Sequence, residues 1–176
     1  MGVPVASRPP LLSIVGKSDS GKTTVVEGLV RRLVDRGYRV ATCKNHKHDV
    51  DVDVPGKDSW RHARAGACVT MISSPAQFVV MSRVERERTL EEIVEAAGDV
   101  DIVVSEGFKR AGKARIEVSR LARSDELVSA EDDLIALVTD NDDLHPEGVA
   151  RFALDDLEAL TDFVQRTFLK GSSYGD

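Results

Sequence analysis

Eight residues near the start of the chain, Gly16-Lys17-Ser18-Asp19-Ser20-Gly21-Lys22-Thr23, follow the pattern GxxxxGK[ST]. Glycines at its first and sixth positions permit a turn tight enough for backbone N–H groups to converge on phosphate oxygens. In that arrangement Lys22 reaches the β- and γ-phosphates and the Thr23 hydroxyl ligates Mg²⁺, while Thr24 extends the first helical turn. Lys17 reads either as a solvated surface lysine or as a residue that reaches a partner's nucleotide. The chemistry expected here is nucleoside-triphosphate binding.

A metal at such a loop needs a carboxylate from a neighbouring strand end. Glu106 stands directly after the apolar run "DIVVS" and before Gly107. It can hold Mg²⁺ or orient an attacking water, and the Gly107 N–H is placed to bond a γ-phosphate. Asp101, at the other end of the same run, reads as structural. A third group lies in "KNHKHDVDVDVPGKDS", residues 44–59. Lys44 and His48 are candidates for phosphate or a second anionic substrate, and Asp49, Asp51 and Asp53 for a further Mg²⁺-side carboxylate. His46 and His48 lie two apart near acids, so a transition-metal site competes with a solvated loop. Late in the chain, Asp140 in "TDNDD" either accepts from guanine N–H donors or carries solvated charge.

The elements that must position these groups alternate between strand and helix. "LLSIV" is a short apolar run of the kind buried on both faces of a parallel sheet. After the loop, Val25, Val26, Leu29, Val30, Leu33 and Val34 recur at helical spacing until Gly37. "YRVATC" predicts a second strand, and Asp58 suits the N-cap of a short helix to Ala65. "ACVTMIS" and "QFVVMS" flank Ser74-Pro75-Ala76 and predict a strand pair with a tight connection. "TLEEIVEAAG" predicts a helix, "DIVVS", "ARIEVS" and "DLIALVT" strands, and "DDLEALTDFVQRTFLK" a final amphipathic helix. This pattern predicts a three-layer α/β P-loop NTPase fold, mostly parallel with an antiparallel extension. One nucleotide-binding domain is expected over 11–170, with a flexible start at 1–10 and a disordered tail at 171–176.

Net charge is −6, which disfavours broad nucleic-acid or membrane-surface binding and leaves anion binding to a local site. Cys43 and Cys68 form no CxxC pair and point to a reducing compartment, so a cytoplasmic location is expected. No apolar run approaches the roughly 18 residues of a membrane span.

Taken together, "SDSGKTT" at 18–24, "HDVDVDVPGKDS" at 48–59 with "AGA" at 65–67, "SEGFK" at 105–109, "RIEVSR" at 115–120 and "LEALTDFV" at 157–164 resemble the MobB family of molybdopterin-guanine dinucleotide biosynthesis adaptors. The resemblance covers about residues 11–168, and its second and third blocks are far more specific than the phosphate loop. It implies a GTP- and Mg²⁺-binding protein with weak GTPase activity and an intertwined homodimer. It also implies assistance to the enzyme that attaches GMP to molybdopterin, a MobA-type molybdopterin guanylyltransferase. By position, Gly21, Lys22, Thr23 and Thr24 match the triphosphate site and Glu106-Gly107 the second nucleotide motif. Lys44, His48, Asp53, Gly56, Lys57 and Asp58 match the family's signature loop. Asn45 and Lys47 stand where the family commonly has histidines, and Ala114-Arg115 replaces Pro-Lys, losing a rigid turn.

Two other functions suit a phosphate loop. A small-molecule kinase using ATP needs an arginine-bearing lid, for which Arg83, Arg86, Arg88, Lys109, Arg110 and Lys113 are available. A metal-insertion GTPase advertises histidine-rich tracts, and four scattered histidines argue against it.

Overall fold

A computed structural model describes residues 8–46, 48–108 and 114–169. Lys47, Lys109, Arg110, Lys113 and the tail at 171–176 lie outside the described residues, as does the expected flexible start up to residue 7. The chain groups into two compact units, one made of residues 1–45 and 90–176 and the other of 46–89.

The first unit is a six-stranded sheet with order β2-β5-β1-β6-β7-β8, parallel throughout. Its strands are β1 (Leu11–Val15), β2 (Val40–Lys44), β5 (Ile102–Glu106), β6 (Arg115–Ser119), β7 (Leu134–Thr139) and β8 (Ala150–Phe152). Its helices are α1 (Lys22–Asp35), α3 (Leu90–Ala96) and α4 (Leu157–Val164). Every residue of β5 is buried, as its apolar run predicts for a strand covered on both faces, and every residue of β6 is buried as well although Arg115, Glu117 and Ser119 are polar. Side chains alternate along each strand. Leu12, Ile14, Ile102, Val104, Ile116 and Val118 join Leu29 and Leu33 of α1 and Leu160 and Val164 of α4 in one core cluster. On the alternate positions the sheet buries polar groups, and the Ser13 and Ser105 hydroxyls are 2.9 Å apart across β1 and β5.

Helix α1 ends as its sequence predicts. Gly37 adopts φ 89°, its N–H donates to the Val34 carbonyl at 2.9 Å, and the Tyr38 N–H donates to that of Leu33 at 3.0 Å. These paired bonds satisfy carbonyls the last turn would otherwise leave open. The final helix departs from expectation: regular α geometry stops at Val164, and Gln165–Leu169 continue as a wider π-helical turn. Strand β8 was not foreseen. Three residues with Arg151 in the middle carry no periodic signal, and only pairing with β7 makes them a strand.

The second unit contains α2 (Asp58–Arg64) and the antiparallel pair β3 (Val69–Ser73) and β4 (Phe78–Ser82). The tight connection is there: the Ser74 N–H donates to the Gln77 carbonyl at 2.8 Å. Asp58 is the first residue of α2 and not its cap. Lys57 holds the cap position without a side-chain bond, and the acid sits in the first turn, where it favours the helix dipole. Residues 49–54 form no strand, and Val50, Val52 and Val54 are exposed.

Candidate functional site

Strand β1 is the centre of the sheet, flanked by β5 and β6, and its C-terminal end runs into residues 16–21. Gly16 cannot be replaced there. A Cβ on it would lie 2.3 Å from the Val118 carbonyl oxygen of β6, and its φ is +145°. Asp19 has φ 59°, a left-handed conformation uncommon outside glycine and concentrated at functional turns. Gly21, also left-handed, occupies the N-cap of α1 with no side-chain cap bond, and the first turn holds no acid. Nothing from this chain's caps therefore competes for the first-turn N–H groups, and the helix dipole adds positive potential there. Such a helix start is an anion site.

Around this helix start lies a recess of about 530 Å³. Ser18, Asp19, Gly21, Lys22 and Thr23 line one side, and Lys44, Asn45, Glu106 and Gly107 the other. Parallel pairing explains the convergence, because Lys44 and Glu106 are register partners at the ends of β2 and β5. The Thr23 hydroxyl donates to Glu106 Oε1 at 3.1 Å. Lys44 Nζ approaches the same oxygen at 3.1 Å, and Lys22 Nζ donates to the Lys17 carbonyl at 2.6 Å. A hydroxyl, a largely buried carboxylate and a cluster of lysines thus share one recess at a helix start. Hard oxygen donors of this kind fit Mg²⁺, which binds through one or two such ligands plus phosphate oxygens and water.

One expectation is revised and one residue is added. The Gly107 N–H donates to the Ile14 carbonyl at 3.0 Å, continuing the β1–β5 ladder, so it is not an open donor for a γ-phosphate. Gly107 still lines the recess, at φ +91° and with its Cβ position 3.4 Å from the Asn45 carbonyl. Asn45 is a recess residue that sequence reading passed over. Its signal was its place right after a strand whose end faces the phosphate loop.

The other predicted residues fall elsewhere. Lys17 bonds the Ser124 hydroxyl and lies 3.7 Å from Glu126, both in its own chain. Asp140 follows the end of β7, exposed, and its Oδ1 accepts the Leu121 N–H at 2.7 Å. Asp101 accepts from the Arg39 N–H at 2.6 Å, the structural role expected of it. Cys43 is half-buried, which pushes its thiol pKa up.

His48, Asp53, Gly56, Lys57 and Asp58 belong to the second unit. There Asp53 Oδ1 accepts from the Val54 N–H at 2.8 Å and the Ser59 hydroxyl at 3.1 Å. The Trp60 indole N–H donates to Asp51 at 3.3 Å, and Arg64 lies 5.1 Å over the Trp60 ring. His46 and His48 are exposed, and among the described residues no three His, Cys, Asp or Glu side chains gather as metal ligands. Among the described residues, no helix is long and apolar enough to cross a membrane.

A profile of the family described as MobB, molybdopterin guanine dinucleotide synthesis protein B, matches residues 11–140. The chain belongs to the MobB family. It is similar to the molybdopterin-guanine dinucleotide biosynthesis adapter protein of Escherichia coli, at 35% identity over 162 residues, covering 88% of this chain and 91% of the relative. The adapter of Haemophilus influenzae is 30% identical over 160 residues, covering 89% and 88%. A crystal structure of molybdopterin-guanine biosynthesis protein B (mobB) superposes with TM-score 0.71 at 34% identity, over 90% of this chain and 98% of that one. Bacillus subtilis MobB superposes at 0.74 with 25% identity, covering 90% and 98%. The α/β P-loop fold read from the sequence is therefore the MobB fold.

Proposed function

We propose that this chain is a GTP-binding adapter with weak GTPase activity that assists attachment of GMP to molybdopterin. The observation that carries the reading is the uncapped start of α1 beside the Thr23–Glu106 pair, in a member of the MobB family. In this reading the triphosphate rests on residues 16–24, with Lys22 neutralising phosphate charge. Mg²⁺, held by Thr23 and Glu106, supplies charge neutralisation to the phosphates. Glu106 orients the attacking water, and Asp140 reads the guanine edge.

The remaining roles belong to partners. His48, Asp53, Gly56, Lys57 and Asp58 serve molybdopterin, its molybdenum form or the molybdopterin guanylyltransferase, and the protein works in the cytoplasm. Two copies pair through one face of the β3–β4 ribbon, where Val69, Met71, Phe78 and Val80 are exposed. An apolar strip of that size on a two-stranded ribbon is characteristic of a covered surface.

Calorimetric titration with Mg-GTP and Mg-ATP tests the core of this reading, with Lys22→Ala as the blank. Preference for GTP, lost in Lys22→Ala, supports it. Preference for ATP puts a kinase first, and equal binding by the variant removes the phosphate-loop assignment.

A further inference from the structure

The segment after β6 lies against the phosphate loop at several points. Besides the Lys17 contacts with Ser124 and Glu126, Arg123 Nη2 lies 3.9 Å from Asp19. Arg120 Nη2 lies 3.6 Å from the Cβ position of Gly21, the residue that opens α1. This segment is clamped at both ends. The Leu121 N–H donates to Asp140, and the Val128 and Ser129 N–H groups donate to the two carboxylate oxygens of Glu117 at 2.7 and 2.9 Å. Glu117 is 1% exposed, so it is a buried anchor and not a solvent-facing acid.

Arg120 differs from the other cations here. Lys17, Lys44 and Arg123 each face a carboxylate, whereas the Arg120 guanidinium has no hydrogen bond or ion pair among the described residues. The residues that precede Gly21 and Arg120 in the chain, Ser20 and Ser119, bury their hydroxyls without a hydrogen-bond partner. Buried hydroxyls rarely stay unpaired, and a planar guanidinium suits phosphate oxygens bidentately. We propose that Arg120 is a phosphate-binding residue of this site, delivered from the end of β6 by the clamped segment 121–129. The proposal rests on the nucleotide reading given above.

Titration of wild type, Arg120→Ala, Arg120→Lys and Lys22→Ala with Mg-GTP, together with thermal melting of each without nucleotide, tests it. Arg120→Ala is expected to bind about tenfold more weakly, with an unchanged nucleotide-free melting temperature. Arg120→Lys should recover part of the loss, since it keeps charge but not the fork. Wild-type affinity in Arg120→Ala, with binding lost in Lys22→Ala, overturns this proposal and leaves the nucleotide site standing. Wild-type affinity in Lys22→Ala overturns both. A nucleotide-free melting temperature that falls in Arg120→Ala, with no recovery in Arg120→Lys, makes Arg120 structural and also overturns it.

Discussion

The Thr23 hydroxyl and the Glu106 carboxylate are 3.1 Å apart, although 83 residues separate them in the chain. Their meeting is a product of parallel pairing: β1 and β5 are neighbours, and Glu106 ends β5 where α1 begins. Removing the Thr23 oxygen while keeping its shape isolates the metal's share of binding. Thr23→Val is expected to gain less GTP affinity from Mg²⁺ over EDTA than wild type does, because Glu106 keeps part of the hold on the metal. Titration of both proteins under the two conditions checks this, and an undiminished Mg²⁺ effect in the variant excludes Thr23 as a ligand.

Glu106 itself should matter more for turnover than for binding. Glu106→Gln keeps the size and a hydrogen-bond acceptor but loses the charge on which the proposed orienting of water depends. Hydrolysis is expected to slow about a hundredfold, with GTP affinity changed only severalfold. Phosphate release followed beside calorimetry separates the two, and unchanged turnover would make Glu106 a structural residue.

Gly16→Ala places a methyl 2.3 Å from the Val118 carbonyl and forces a positive φ on alanine. The nearest clash is with strand backbone, which cannot swing aside as a flexible side chain can, so the cost is about 3 kcal/mol or more. Urea unfolding would register this as a lower midpoint, and a wild-type midpoint would mean that β6 and the loop separate readily.

Glu117→Ala orphans two N–H groups and vacates a buried site. The expected loss is about 3 kcal/mol, and Glu117→Gln, which still accepts one bond, should lose less. The same urea series measures it, and equal losses in both variants would argue that volume and not bonding is at stake.

The two thiols should differ in reactivity. Burial raises the pKa of Cys43, so it carries less thiolate than an unperturbed thiol at any given pH, whereas Cys68 is exposed. Alkylation at pH 8 is expected to reach Cys68 first, and Cys43 labelling should climb only at higher pH. Mass spectrometry of a time course resolves the order, and simultaneous labelling would contradict the partial burial of Cys43.

Pairing of copies through the ribbon predicts that Met71→Asp, which charges the exposed face beside Val80, yields a monomer. Sedimentation velocity distinguishes this from the wild-type species, and identical sedimentation would direct the search to another surface.

Much of the fold was legible because it rests on local pattern. The run "LLSIV", the valine–leucine spacing of α1 and the Gly37 stop each carry their signal within a few residues, and so does the phosphate loop. What escaped depends on partners distant in sequence. Strand status for Ala150–Phe152 comes from β7, and the Gly107 N–H is taken by Ile14 because β1 and β5 pair. The approach of Arg120 to Gly21 follows from the placing of β6 beside β1, which no spacing within "RIEVSR" encodes. The cap fell on Lys57 and not on Asp58 because a helix start shifted by one residue leaves the pattern unchanged.

Ser13 in the central strand meets Ser105, a residue 92 positions further along the chain. During synthesis at about 5–20 residues per second, β1 therefore waits roughly 5–20 seconds for its first neighbour to emerge. Until then its apolar run has no ladder to join, and the β3–β4 ribbon is already complete and exposed. The nascent chain thus passes through an interval in which two adhesive segments are free, which makes ribosome-associated chaperones natural allies of its yield.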